Sequence, residues 1–173
     1  MVRLSFQEQD CSIAVAEGVE EYRAYLQENG KKPLVDQPGS TLIRDHDITH
    51  VIFGLDTSLE QESLLDTWVL LGCTWKFKDL YAYQKLPEIK ELYSYLKKEI
   101  GYIKLFLTIL KLMPIKFIIR RRTKKMIKKW PFKSPDYFMS QRVCDLREEY
   151  GIKILLPEER IITEPLIWAG TIR

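Results

Sequence analysis

The sequence predicts an all-α protein, a single-domain helical bundle over residues 1–173 with an extended C-terminal arm in which short strands are one alternative. Its 173 residues are 46% hydrophobic, which is enough to bury one core without disulfide or metal staples. Apolar residues recur at helical spacing in several long stretches. Three widely spaced cysteines, Cys11, Cys73 and Cys144, fit neither a disulfide framework nor a cysteine zinc ribbon and indicate a reducing compartment.

The first two helices are predicted from apolar spacing and from stop signals. Apolar positions between residues 15 and 26 follow a 3.6-residue period, and Asn29 with Gly30 is a typical helix end. Residues 32–40 contain two prolines and a glycine, which predicts a loop. A second helix is predicted from Ile43 to Phe53, and Gly54 ends it.

A third helix is predicted to begin immediately after that glycine. Thr57 and Ser58 are good N-caps. Glu60 follows Thr57 by three residues and Gln61 follows Ser58 by three, as in a capping box. The apolar pattern then continues to about Gly72.

Two further helical stretches and the arm follow. Pro87 marks the start of a helix whose apolar face extends to Ile100, and residues 102–112 are apolar on nearly every side. After Pro114 a stripe of apolar residues reaches Trp130 and faces away from the basic ones. The β-branched runs at 152–156 and 161–163 indicate short strands or extended arms.

Residues 97–129, the basic segment, dominate the charge distribution. This segment carries 12 Lys and Arg against one Glu, whereas residues 1–96 carry 9 basic and 16 acidic side chains. Its apolar stripe favours contact with an anionic membrane surface. A solvated helix face is the second interpretation, and nucleic-acid binding is a distant third because no nucleic-acid motif accompanies the charge. The residues predicted to contact membrane or lipid are Lys111, Lys116, Ile118, Ile119, Arg120, Lys124, Met126 and Trp130.

The chain has two histidines, and both lie in the second helix. His46, Asp47 and His50 have angular positions of about 0°, 100° and 40°, so all three lie on one side of the helix and can share a divalent metal. Glu62 is the best further ligand, because a tight turn after Gly54 brings the next helix back beside the histidines. Glu60 points about 200° away from Glu62 and is not expected to join them.

Other interpretations of the histidine pair are weaker. A hydrogen-bonded or surface pair is the ordinary alternative, but the apolar neighbours from Ile43 to Ile52 predict burial, and buried imidazoles must be paired or coordinated. Zincins need Glu where this chain has Asp47. HD-type phosphohydrolases need a further upstream His, which is absent from the sequence. Arg44 and Asp45 are either groups that orient the imidazoles or ordinary surface charges.

Two motifs resemble one known family. The first motif is H-D-x-x-H followed by eleven residues and then Glu, and it consists of His46, Asp47, His50 and Glu62. It resembles the signature of the coenzyme Q biosynthesis protein 4 family. L-R-E-E-Y-G-I at residues 146–152 is similar to the family's L-R-E-E-L-G-I ending, and the resemblance covers roughly residues 40–155. One departure is Gln61, since the family usually has Gly before the ligand Glu, and a side chain there affects the shape of the substrate channel.

The resemblance implies an all-helical domain that binds a divalent metal at these four residues and a polyprenyl tail in a long apolar groove. Zinc is the expected metal, with iron, manganese and magnesium as alternatives. The implied role is in ubiquinone biosynthesis, with oxidative decarboxylation of the prenylated aromatic ring as the chemistry. The implied partners are a prenylated quinone precursor or other isoprenoid lipid, the membrane surface and other quinone-biosynthesis enzymes. A homodimer is a further candidate, and nucleic acid is not expected as a partner.

We expect a cytoplasmic protein that is peripheral on the inner face of a membrane. The first ten residues carry too much charge for a secretory signal, and lysines and Pro114 interrupt the most apolar stretch, residues 100–119. Two alternatives stay open. One is a non-enzymatic scaffold or lipid carrier with a structural metal, and the other is an RNA-associated helical protein that uses the basic segment.

Overall fold

A computed structural model of the chain describes residues 4–76 and 101–160, together with the single residues 81, 85, 90, 94, 97 and 98. Within these residues the protein is mostly helical, which confirms the all-α prediction. The predicted helix from Pro87 to Ile100 falls largely outside the described residues, and the run at 161–163 falls wholly outside them. The described α-helices are α1 (Val15–Glu28), α2 (Leu42–Phe53), α3 (Leu59–Gly72), α4 (Tyr102–Thr123), α5 (Val143–Tyr150) and α6 (Pro157–Arg160). Short 3-10 helices lie at Ser5–Gln7 and Asp136–Ser140, and the described strands are β1 (Cys73–Thr74) and β2 (Trp130–Pro131).

Helices α2 and α3 form a tight hairpin where the sequence predicts it. Gly54 ends α2 in the left-handed conformation, with φ of 69°, and its N–H donates to the His50 carbonyl. Ser58 caps α3, and its Oγ accepts a hydrogen bond from the backbone N–H of Gln61. The chain therefore reverses within five residues, so the start of α3 lies beside the end of α2.

Helix α1 packs closely against α2 because Gly18 lacks a side chain at the crossing. A Cβ atom at position 18 would lie 2.6 Å from Cγ1 of Val51, closer than real contacts allow. This approach brings Tyr22 and Arg23, one turn further along α1, over the middle of α2.

Helices α3 and α4 run side by side in the same direction. Lys116 contacts Ser63 near the start of α3, whereas the side chain of Thr123 lies against Gly72 at its end. Strands β1 and β2, which follow these helices, pair in parallel, with Cys73 opposite Trp130. Residues 102–111 therefore extend beyond the first residue of α3, by about 15 Å at 1.5 Å per residue.

The predicted helical stripe to Trp130 is wrong at its far end. Helix α4 continues through Pro114 but ends at Thr123, and Trp130 lies in β2. Its ring is fully buried and packs against Phe138 and Tyr150 at centroid distances of 5.0 and 4.9 Å. The tryptophan is a core residue that holds the segment after α4 against α5.

A buried arginine holds the N-terminal segment, α2 and α5 together. The Arg147 side chain on α5 is fully buried, and its guanidinium donates to five backbone carbonyls. These acceptors are the carbonyls of Phe6, Glu8, Gln9, Val51 and Ile52. The second family-like motif thus has a structural role in this chain, because Arg147 satisfies carbonyl groups that would otherwise be buried without a partner.

The described part of the C-terminal arm consists of residues 152–156, which lie outside helices and strands, followed by α6. Residues 152–156 form no strand in the structure, and side chains rather than a sheet hold them. The Gln9 amide donates to the Ile152 carbonyl and accepts from the Ile154 N–H. No helix in the described part of the chain is both long enough and apolar enough to cross a bilayer.

Candidate metal centre

Three side chains from α2 and α3 converge on one point. His46, His50 and Glu62 each offer a ligand atom, and these atoms lie within 4.8 Å of one another. Nε2 of His50 lies 3.3 Å from Oε1 of Glu62, and Nε2 of His46 lies 3.9 Å from Oε2. The hairpin therefore brings Glu62 to the two histidines, as the sequence spacing predicts.

His50 is held in the orientation that a metal ligand needs. Its Nδ1 donates to the backbone carbonyl of Leu55 at 3.2 Å, which leaves the lone pair on Nε2. Tyr22 stacks on the imidazole with a centroid distance of 4.4 Å and an interplanar angle of 21°. Nε2 is buried, and the described group that it faces is Oε1 of Glu62 at 3.3 Å. Two acceptor atoms, this nitrogen and the Glu62 carboxylate oxygen, thus face each other, and only a cation between them makes the contact favourable.

The pKa values indicate that a proton is that cation when no metal is bound. Burial lowers the pKa of His50, but the charge and hydrogen bond of Glu62, the charge of Asp47 and the hydrogen bond to Leu55 together raise it overall. Burial raises the pKa of Glu62, but the charge and hydrogen bond of His50 and the charges of His46 and Lys31 together lower it overall. Burial and the charge of His50 lower the pKa of His46 to about 4, so this imidazole is neutral and ready to donate a lone pair.

The ligand separations suit a small divalent ion. Bonds of about 2.1 Å in tetrahedral geometry place ligand atoms about 3.4 Å apart, which requires only small side-chain movements here. The His50 side chain is fully buried, whereas those of His46 and Glu62 are 18% and 17% exposed. Two nitrogens and a carboxylate in a site open on one side match zinc enzymes that keep a position for water or substrate, and they also suit iron or manganese.

Asp47, the fourth predicted ligand, lies outside this group. Its Oδ2 accepts a hydrogen bond of 2.8 Å from Nε of Arg23 on α1, and the residue is buried. Burial raises the pKa of Asp47 to about 6, although the guanidinium acts in the opposite direction. The carboxylate thus fixes α1 against α2 beside the histidines, and its role as a ligand stays a prediction.

Gln61 stabilises the turn of the hairpin. Its side-chain oxygen accepts from the Asp56 N–H at 2.8 Å, and its nitrogen donates to Oδ2 of Asp56 at 2.7 Å. The side chain therefore binds Asp56 in the turn between α2 and α3. Glu60 is buried elsewhere, so Glu62 is the carboxylate of this helix that meets the histidines, as predicted.

Arg44 and Asp45 play neither role proposed for them. Asp45 is fully buried and accepts hydrogen bonds from Thr41 and from the Ser134 N–H. Arg44 pairs with Asp45 at 3.0 Å and also contacts Asp136 and the Ser134 carbonyl. Together they connect the start of α2 to the segment before α5.

Lys31 is a neighbour of the centre that the sequence does not reveal. It is 8% exposed, and its ammonium donates to the Thr57 carbonyl and to Oγ1 of Thr57, both at 2.8 Å. Burial lowers the pKa of Lys31 to about 8, while the nearby charges of Glu62 and Asp56 oppose this shift. No spacing rule links this loop lysine to the hairpin, because its position depends on how α1 packs.

The predicted membrane contacts divide into two groups. Lys111, Arg120 and Lys124 are exposed, whereas Ile118, Met126 and Lys116 are partly buried. Ile119 and Trp130 are fully buried, so their assignment as surface contacts is wrong. The periodicity was correct in marking an apolar face, but in this part of α4 that face packs into the core.

The exposed apolar surface lies instead in the first half of α4. Between Tyr102 and Met113, seven large apolar side chains are 38% to 79% exposed. They are Tyr102, Ile103, Phe106, Leu107, Ile109, Leu110 and Met113, and we call them the apolar overhang. The sequence marked this stretch as apolar all round but did not identify it as a surface.

Comparisons of the chain with protein-family models, with curated proteins and with solved structures find no match. The family resemblance therefore rests on the two sequence motifs, and the site rests on its own geometry.

Proposed function

We propose that this protein binds a divalent metal and a prenyl lipid and acts in quinone biosynthesis, as a member of the coenzyme Q biosynthesis protein 4 family. The observation that carries the proposal is the convergence of His46, His50 and Glu62, with the buried Nε2 of His50 facing a carboxylate oxygen. Zinc is the metal that we expect, and iron or manganese would use the same ligands.

The reaction that this site would serve is removal of a ring carboxyl group from a prenylated aromatic acid. A bound metal would supply a Lewis acid for the carboxylate or phenolate oxygen, and an oxidative outcome would need dioxygen as the oxidant, whether the metal is zinc or a redox-active ion. The protein's own residues position that ion. Leu55 and Tyr22 fix the His50 ring, and the exposed side of His46 and Glu62 leaves room for a substrate.

Membrane contact is the second part of the proposal. The apolar overhang offers side chains that can enter a lipid interface, and the exposed Lys104, Lys111, Arg120 and Lys124 on the same helix would be attracted to anionic headgroups. Each such charge near an anionic surface is worth about 1 kcal/mol. A substrate with a polyprenyl tail resides in a bilayer, so a protein that uses it needs this kind of surface. Partner enzymes of the pathway would assemble at the same membrane.

A non-enzymatic scaffold or lipid carrier is the alternative. The site joins α2 to α3, and a metal there would also stabilise the hairpin, as structural zinc ions do. A closed fourth position favours the scaffold, whereas an exchangeable water favours the enzyme.

The test is elemental analysis together with lipid extraction of the purified protein. We expect one divalent metal per chain in the parent protein and none in His50→Ala, and prenyl lipid in the organic extract. Absence of metal in the parent would refute the site. Metal without prenyl lipid, and without binding to anionic vesicles, would refute the assignment to quinone biosynthesis. Release of carbon dioxide from a prenylated hydroxybenzoate by the metal-loaded protein separates the enzyme from the scaffold.

A further inference from the structure

A lysine of α4, Lys116, contacts α3 at the residue that follows the metal ligand Glu62. Nζ of Lys116 donates a hydrogen bond of 2.8 Å to Oγ of Ser63, the residue that follows Glu62. Lys116 is partly buried between the two helices, whereas the neighbouring lysine of α4, Lys111, is exposed. The hydrogen bond fixes an otherwise flexible cation at a defined point beside the site.

The position of this ammonium follows from the geometry of α3. Glu62 and Asp66 are four residues apart, so they lie on one face of the helix with a rise of about 6 Å between them. Asp66 lies on the side of the metal ligands, since the charges of Glu62 and His50 act on its pKa. Lys116 reaches α3 at Ser63, which lies between these two carboxylates in the sequence and next to the ligand Glu62.

The charge of Lys116 is available to a ligand. Burial lowers the pKa of Lys116 overall, while the charge of Asp66 opposes this shift, and no ion pair within 4.0 Å joins these two described side chains. The hydrogen bond of Lys116 goes to a neutral hydroxyl and uses one of the three N–H donors of the ammonium. Both remaining donors can bind an anionic oxygen.

We propose that Lys116 binds the carboxylate of the aromatic ligand. It would hold this carboxylate beside the metal that His46, His50 and Glu62 bind. This inference rests on the proposed metal centre. It assigns Lys116 to ligand recognition, in place of the membrane contact predicted from its position in the basic segment. A charge-assisted hydrogen bond in a partly buried site discriminates strongly between a carboxylate and a neutral amide of the same shape.

The test compares two probes on the zinc-loaded protein by calorimetry, 4-hydroxybenzoate and its neutral analogue 4-hydroxybenzamide. We expect Lys116→Met to weaken benzoate binding roughly 10-fold or more, to leave benzamide binding unchanged, and to leave zinc affinity unchanged. Lys116→Arg should restore most of the benzoate affinity, because a cation returns. Lys111→Met is the matched control, since it removes the same charge from an exposed position of the same helix.

Two results would overturn the inference while the metal centre stands. One is zinc-loaded parent protein that does not bind benzoate, and the other is equal loss of benzoate affinity in Lys116→Met and Lys111→Met. A parent protein that binds no zinc would refute the metal centre and the inference together. Unchanged zinc affinity in Lys116→Met also shows that the variant is folded, and Lys116→Gln provides a second neutral variant if that one is unstable.

Discussion

Replacing Glu62 by Gln should abolish most of the stabilisation that zinc gives to this protein. The substitution keeps the shape of the side chain but removes its charge and weakens its oxygen as a ligand. The centre then keeps the two imidazoles of His46 and His50, whose ring centroids lie 4.9 Å apart. Because outer groups that merely orient ligands already change metal affinity by about 10–100-fold, loss of a direct ligand should raise the Kd by at least about 100-fold.

This change in affinity gives a measurable difference in thermal stability. At a zinc concentration about 100 times the parent Kd, binding stabilises the folded state by about 2.7 kcal/mol. For a chain of this size, 1 kcal/mol shifts the Tm by about 2–4 °C, so zinc should raise the parent Tm by about 5–11 °C. At the same concentration the Glu62→Gln variant should gain only about 0.4 kcal/mol, which corresponds to a rise of about 1–2 °C.

The assay is differential scanning fluorimetry of the chelator-treated protein with and without zinc, each variant being compared with its own metal-free form. Glu60→Gln is the matched control, because it makes the same chemical change two residues away on α3 but outside the ligand group. It should respond to zinc as the parent does. A full shift in Glu62→Gln, or loss of the shift in Glu60→Gln, would refute the ligand assignment.

Three further predictions concern stability. Arg147→Met leaves five backbone carbonyls, three of them in buried hydrogen bonds, without their donor and should lower the free energy of unfolding in urea by at least about 3 kcal/mol, whereas a loss below about 1 kcal/mol would contradict the role of the guanidinium. Gly54→Ala forces a side chain into a left-handed residue at the hairpin turn and should cost about 1–2 kcal/mol in the same assay, with a further penalty because its Cβ lies 2.9 Å from Cδ1 of Ile154. Lys31 has a folded pKa of about 8 against 10.5 unfolded, so the unfolded chain binds more protons between these values and the free energy of unfolding should rise with pH there. The total rise is about 3 kcal/mol, and Lys31→Met should show no such rise from this group.

Local signals were sufficient for the hairpin that carries the site. Gly54 as a helix end and Ser58 with Gln61 as a capping pair are set by residues within a few positions of each other. The i, i+4 spacing of the histidines then fixes their common face, and the short turn fixes the return of Glu62. These features could be read from the sequence because each depends on short-range geometry.

Burial on α4 could not be read in the same way. The helix is apolar on several faces, and periodicity does not say which face meets another helix and which meets solvent. The parallel packing of α4 on α3 buries Ile119 but leaves Phe106 exposed beyond the first turn of α3. Two residues of similar character therefore have opposite environments, decided by where the neighbouring helix begins.

The sequence by itself determined the helices around the site, the alignment of His46 with His50, and the choice of Glu62 over Glu60. Only the tertiary structure decided that Asp47 pairs with Arg23, that Lys31 binds Thr57 in the hairpin turn, and that Lys116 binds Ser63, the residue after Glu62. The physical reason is the separation along the sequence over which each interaction acts. Helix periodicity and capping act between residues a few positions apart, whereas these three contacts join residues separated by 24 to 53 positions and exist only because whole helices pack together.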